Sequence, residues 1–115
     1  MTERGYGRII NIASVHGKVA SINKAAYVAS KHAVVGLTKV TALETAGTGV
    51  TAVTVCPGWV LTPLVQKQID TRAEASGRTI AEETRALVSE KMPSGEAVRT
   101  EDFGKMVEFL CSEAP

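Results

Sequence analysis

The sequence predicts an α/β fold: a strand, a helix and a second strand forming part of a doubly wound parallel sheet, with helices following to the end. Three observations carry this. "RIINIAS" (Arg8 to Ser14) and "VTAVTVC" (Val50 to Cys56) are short β-branched runs of nearly continuous apolar character, the pattern of strands covered on both faces of a parallel sheet. Between them, residues 25–46 read as one long helix. Parallel neighbours require such a crossover, and its hand is right, because a hairpin cannot join them.

Each element has its own local cause. The first strand stops at Ser14, and a polar loop leads to the helix, with Ser21 or Asn23 available as its N-cap and Gly47 as its stop. The "GTG" of Gly47 to Gly49 makes the short return into the second strand. "PGWVLTP" follows as a loop in which Thr62 caps a helix that starts with Pro63 at its first position. "TIAE" (Thr79 to Glu82) has the spacing of a capping box. Behind Thr100 and two acidic first-turn residues, Phe103, Met106, Val107 and Leu110 form an apolar stripe at helical spacing. Two parallel strands with both faces apolar do not close a sheet, so the expectation is a single segment, residues 1–115, of a larger α/β domain.

Composition excludes several function classes. With thirteen basic and twelve acidic residues spread along 115, the net charge is +1, which gives no bulk attraction to nucleic acid or anionic lipid. No apolar run reaches membrane-spanning length and the N-terminus lacks a signal-peptide core. Cys56 and Cys111 have neither zinc-site spacing nor the density of a secreted disulfide scaffold. The expectations are a cytoplasmic protein with no metal, no nucleic acid and no membrane among its partners. Gly5 and Gly7 precede a strand instead of linking a strand to a helix, which rejects a nucleotide-loop reading.

The chemistry concentrates in "SVHGKVASINKAAYVASK", Ser14 to Lys31. Tyr27 and Lys31 lie four apart on the helix, on one face. A phenol, with an ordinary pKa of about 10, exchanges protons near neutrality only if its anion gains about 3 to 4 kcal/mol. A cation at about 4 Å and an effective dielectric near 20 is worth about that much. Ser14 ends a strand at the carboxyl edge where open α/β sheets bind ligands, and its hydroxyl is suited to polarising a substrate oxygen. Taken singly, each has a duller reading as a packed aromatic, a solvated lysine and a turn serine.

Together, the serine, tyrosine and lysine stand at the spacing of the short-chain dehydrogenase/reductase family. The stretches "GRIINIAS", "AAYVASKHAVVGLTK" and "VTVCPGWVLTPL" resemble that family across nearly the whole chain. The resemblance implies a partial Rossmann-type sheet, hydride exchange with NAD, Tyr27 as the acid/base, Ser14 orienting the substrate oxygen, and Lys31 aiding the tyrosine and binding cofactor ribose. It implies cofactor contacts from Pro57, Gly58 and Val60, and from Thr62 near the phosphates at a helix N-terminus. Within the family, "SVHGKVASINKAAYVASKH" and "CPGWVLTPLVQKQI" resemble the branch that interconverts (R)-3-hydroxybutyrate and acetoacetate. That resemblance implies that His16, Lys24 and Gln68 hold the carboxylate of a hydroxy acid or keto acid substrate, with Trp59 as a wall.

The same resemblance implies that a dinucleotide-binding half lies upstream and a final strand downstream of these residues, so that the chain alone is expected to be inactive. It further implies a homo-oligomer, a tetramer, assembled through helix 25–46. There Gly36 costs about 1 kcal/mol relative to alanine, as expected where something approaches the backbone. The competing readings are another short-chain ketone or alcohol reductase, and a non-catalytic piece that associates with full-length subunits.

Overall fold

The computed structural model describes residues 1–113. Strand β1 (Gly7–Ile12) and strand β2 (Val50–Val55) run parallel, paired from Gly7 with Val50 to Ile12 with Val55. Helix α1 (Ala25–Glu44) joins them, and α2 (Pro63–Ser76), α3 (Ile80–Ser89) and α4 (Thr100–Cys111) follow. The expected strand–helix–strand crossover and the α/β class are both present.

The chain divides into two compact units, Met1–Pro57 with the chain from Val107 on, and Gly58–Met106. In the first, α1 lies on a two-stranded sheet, so the middle residues of both strands are only half-buried and Ile12 is 44% exposed. The expected burial on both faces is therefore not reached within this unit. Ala13, Val50 and Val55 are its buried apolar residues, and Thr38 of α1 is buried at 3% exposure. Asn11, the uncharged polar residue of β1, donates from Nδ2 to Thr38 Oγ1 at 2.8 Å, and Thr38 passes its own hydrogen to the Val34 carbonyl. A polar latch thus docks helix on strand and leaves no buried side-chain polar atom unpartnered among the described residues.

The return into β2 is tight. Gly49 sits at φ 79° facing the Gly5 carbonyl so closely that any Cβ would overlap it. At the other end of the unit, Tyr6 donates its hydroxyl hydrogen to the Cys111 carbonyl at 2.7 Å and Arg8 Nε donates to the Ser112 carbonyl at 3.1 Å. The end of α4 is thereby satisfied by side chains, and a cation sits at the negative end of its dipole.

In the second unit, Thr62 caps α2 with Pro63 at the first position, and Thr79 caps α3 by accepting from the Glu82 N–H at 3.1 Å, both as the sequence predicts. Val65, Ile69 and Leu87 form the core, with Trp59 and Leu61 against it. Beside it lies a buried carboxylate. Glu83, 4% exposed, accepts from Ser76 at 2.8 Å and Arg72 Nε at 3.1 Å, with Arg78 at 3.6 Å. The Ser76 hydrogen bond, then the Arg72 hydrogen bond and the Arg78 and Arg72 charges, hold its pKa below the usual glutamate value, against the opposing effect of burial.

A carboxylate with a depressed folded pKa stabilises the fold above its unfolded value, and that stabilisation is lost as pH falls through the folded value. Thermal melts stepped from neutral pH down through the carboxylate range should show a falling midpoint. In Glu83→Gln the midpoint should already be lower at neutral pH and the acid dependence flatter. Parallel curves for the two proteins would show that Glu83 contributes nothing through its charge.

Candidate active site

The turn after β1 brings the predicted residues together. Ser14 is buried and extended, and its Oγ accepts the His16 N–H at 3.1 Å, starting a short 3-10 turn, Val15–Gly17. The Val15 N–H donates to the Pro57 carbonyl at 2.9 Å, which ties the turn to the residue after β2. Gly17 then passes against α1. A Cβ there would lie 2.7 Å from Val35 Cγ2 and 3.2 Å from the Lys31 carbonyl oxygen, so only glycine lets this turn settle at that distance.

Tyr27 stands in the first turns of α1, 45% exposed. The ammonium groups of Lys31 and Lys24 lie 5.5 Å and 5.6 Å from its ring centroid. The His16 ring meets it edge-on, with centroids 5.7 Å apart and planes at 77°. His16 Nδ1 lies 3.4 Å from Ser14 Oγ, and Nε2 lies 2.8 Å from Ser21 Oγ. Ser14, His16, Lys24, Tyr27 and Lys31 therefore form one connected cluster, a phenol with two cations beside it and a serine–imidazole pair at its edge. Concavities of about 460 Å³ and 240 Å³ lie along β2 and α1 instead, and none of these five residues lines them.

Ser21 and Asn23 were the candidate caps of α1, and neither caps it. Lys24 occupies the cap position without a side-chain bond. Asn23 takes φ 60°, a left-handed conformation that asparagine tolerates, and turns the chain into the helix. Ser21 spends its hydroxyl on His16, a partner five residues back that cap spacing does not reveal.

The remaining predicted residues are spread along the start of the second unit, apart from Pro57. The Pro57 carbonyl is engaged by Val15. The Trp59 N–H donates to Met92 Sδ at 3.2 Å, and a Cβ on Gly58 would sit 2.9 Å from that same sulfur. Val60 pairs with Val98 in an isolated parallel bridge that uses the Trp59 carbonyl and the Leu61 N–H. Its own N–H faces away from that bridge, and no hydrogen bond uses it among the described residues. Thr62 Oγ1 accepts the Val65 N–H at 3.4 Å. Gln68 is exposed on α2, while the neighbouring Gln66 is tied to Asp70 at 3.0 Å. Among the described residues no group of histidine, cysteine or carboxylate side chains could hold a metal ion.

Sequence reasoning missed Gly17 and Met92. Neither belongs to a local motif, since each matters through a residue 14 or more positions away.

A profile of the short chain dehydrogenase family matches residues 1–73. D-beta-hydroxybutyrate dehydrogenase of Cupriavidus necator is 59% identical over 114 residues, which cover 99% of this chain and 44% of that protein. The protein of the same name from Rhizobium meliloti is 45% identical over 113 residues, covering 98% and 44%. Among solved structures, a variant of actinorhodin polyketide ketoreductase with NADPH gives a TM-score of 0.80 at 40% identity, covering 97% of this chain and 42% of that one. ElxO with NADP bound gives 0.82 at 32% identity, covering 99% and 42%. The chain thus spans less than half the length of these relatives.

The contact at Gly17 makes a direct prediction. Gly17→Ala should lower stability by about 1–3 kcal/mol, the usual cost of overpacking, measured as a shifted thermal or urea midpoint. Val35→Ala should recover part of that loss in the double variant, because it removes the nearer of the two obstructing groups. Strict additivity of the two changes would show that the turn does not press on α1 at this point.

Proposed function

The chain belongs to the short chain dehydrogenase family, and from that membership we propose that its residues form the proton-transfer half of an NAD-dependent oxidoreductase that interconverts (R)-3-hydroxybutyrate and acetoacetate. The observation that carries the proposal is the exposed Tyr27 ring with the Lys24 and Lys31 ammonium groups 5.6 Å and 5.5 Å from its centre. Two cations beside a phenol stabilise the negative charge that grows on its oxygen as it gives up a proton. In the direction of reduction, Tyr27 delivers its proton to the carbonyl oxygen of the keto acid. In the direction of oxidation, it takes the proton of the hydroxyl. Ser14 steadies the same substrate oxygen with its hydroxyl.

These residues offer donors of the kind that a nicotinamide dinucleotide takes. The Val60 N–H is turned away from its bridge and offers a backbone donor to an amide. Thr62 stands at the N-terminus of the fourteen-residue helix α2, where a phosphate is favoured by the unpaired N–H groups and the dipole. Lys31 adds a cation on α1 for a ribose hydroxyl. The Gly58 backbone packs on Met92 and Pro57 is held by Val15, so these two position the loop. When bound, the nicotinamide exchanges hydride with the substrate carbon.

For the substrate carboxylate we assign Lys24, beside the Tyr27 ring, and Gln68, whose amide is not spent as that of Gln66 is. His16 has its ring nitrogens against Ser14 and Ser21, so its part in the proposal is to hold Ser14. Trp59, half-buried on the Val65 cluster, offers a rigid ring to the apolar end of the substrate.

The same reading extends to assembly and place. Leu37, Val40 and Leu43 of α1 are 63%, 51% and 79% exposed, and a Cβ at Gly36 would meet nothing within 4 Å. A second copy packed there, within a tetramer, accounts for that apolar face. Both cysteines are free, in keeping with the cytoplasm. No described helix is long and apolar enough to cross a membrane.

The test is a chimera in which these residues replace the matching 114-residue segment of the Cupriavidus necator relative. It should reduce NAD with (R)-3-hydroxybutyrate and sediment as an oligomer. Lys24→Ala or Gln68→Ala should raise the KM for the hydroxy acid about ten- to a hundredfold, the worth of a charge-assisted hydrogen bond, with the KM for NAD unchanged. An unaltered KM for the hydroxy acid in both variants would reject Lys24 and Gln68 as the carboxylate clamp.

A further inference from the structure

The hydrogen-bond arithmetic around His16 reaches a residue outside the proposed catalytic set. Ser21 Oγ lies 2.8 Å from His16 Nε2, and His16 Nδ1 lies 3.4 Å from Ser14 Oγ, which also accepts the His16 backbone N–H at 3.1 Å. Ser21, His16 and Ser14 thus form a three-membered chain, with the imidazole as its middle link.

A neutral imidazole has one N–H donor and one bare acceptor nitrogen. The two serines therefore stand on unlike nitrogens. If Ser21 donates its hydrogen to Nε2, the ring proton is on Nδ1 and points at Ser14 Oγ. That oxygen then receives two N–H groups, one from the ring and one from the backbone, and its own hydrogen is left to be donated outward. If Ser21 instead accepts from Nε2–H, Nδ1 is bare and takes the Ser14 hydrogen, so Ser14 faces outward only as an acceptor. A carbonyl oxygen is polarised in the first arrangement and not in the second.

The imidazole ring is held in place for this role. Its edge contact with Tyr27, 5.7 Å between centroids at 77°, and the short Ser21 contact restrict its rotation. The turn that carries it is clamped between the Pro57 carbonyl and α1. Ser21 has no capping work to do, since Lys24 holds the cap position of α1 and no side chain caps the helix.

We propose that Ser21 is a positioning residue that donates to His16 Nε2, holds the imidazole as its Nδ1–H tautomer, and so sets the Ser14 hydroxyl as an outward hydrogen-bond donor. The proposal rests on the reading that Ser14 acts on the reacting oxygen. In this role the effect of Ser21 passes through the ring.

The experiment is nitrogen NMR of the histidine side chains in the full chain, labelled with 15N-histidine, at a pH where both imidazoles are neutral. Ser21→Thr and Ser21→Val have the same size and differ in the hydroxyl. His32 serves as the internal standard, because its Nδ1 lies 2.9 Å from the Val28 carbonyl and must carry the proton there. In the unsubstituted chain and in Ser21→Thr, His16 should show a protonated Nδ1 and a bare Nε2. In Ser21→Val the pattern should move toward the Nε2–H form that a free imidazole favours, while His32 stays as it was. An unchanged His16 pattern in Ser21→Val, or an Nε2–H ring in the unsubstituted chain, overturns the proposal. Failure of the chimera to use a hydroxy acid would remove the proposed function, and the NMR outcome would still decide the tautomer.

Discussion

The site depends on one steric constraint, the passage of Gly17 across the backbone of α1. A turn that follows a strand is ordinarily free to swing, and a serine and histidine on it are then no more than polar loop residues. Here the turn lies so close to α1 that a methyl group would collide with the Val35 side chain and crowd the Lys31 carbonyl. The hydrogen bond from Val15 to Pro57 pins its other side. Pressed between helix and strand end, the turn has its His16 ring edge-on to Tyr27, and Ser14 is buried with its hydroxyl already engaged. Backbone packing, more than any side-chain attraction, assembles the cluster.

Electrostatics then acts on what packing has assembled. Each ammonium near the Tyr27 ring contributes about 0.5–1 kcal/mol as a cation–π contact at an exposed site, a modest term for stability. For the proposed proton transfer the balance differs, because charge on the phenol oxygen would be present only during reaction, with the cations already in place. The cost of bringing Lys24 and Lys31 together on one ring is met in folding, by a helix whose inner face is docked through Asn11, Thr38 and Val34. The open position of Tyr27 on the surface of its unit leaves room for a substrate to approach.

Much of this was legible in the residues because it is local. β1 and β2 follow from β-branched runs and end within two residues of the expected positions, and α1 runs from Ala25 to Glu44, two residues short of the expected end. Thr62 and Thr79 cap as their spacing dictates. Lys31 and Tyr27 share a helix face because they are four apart. What was not legible acts at a distance. Ser21 has the right place for a cap and instead bonds a ring five residues back. Trp59 packs on Val65, Ile69 and Leu87, which no pattern in "PGWVLTP" foretells. Asn11 in an apolar run looks like an interruption until Thr38, 27 residues on, becomes its partner. The division near Pro57 has no linker-like composition to announce it.

The central claim is that Tyr27 moves the proton. Its most direct test is Tyr27→Phe in the chimera, which removes one oxygen and leaves the ring beside its lysines. With NAD and (R)-3-hydroxybutyrate at saturation, kcat should fall by about a factor of 10²–10⁴, the usual weight of a positioned acid or base, while both ligands still bind. Turnover within a factor of about two of the unsubstituted chimera would contradict the account.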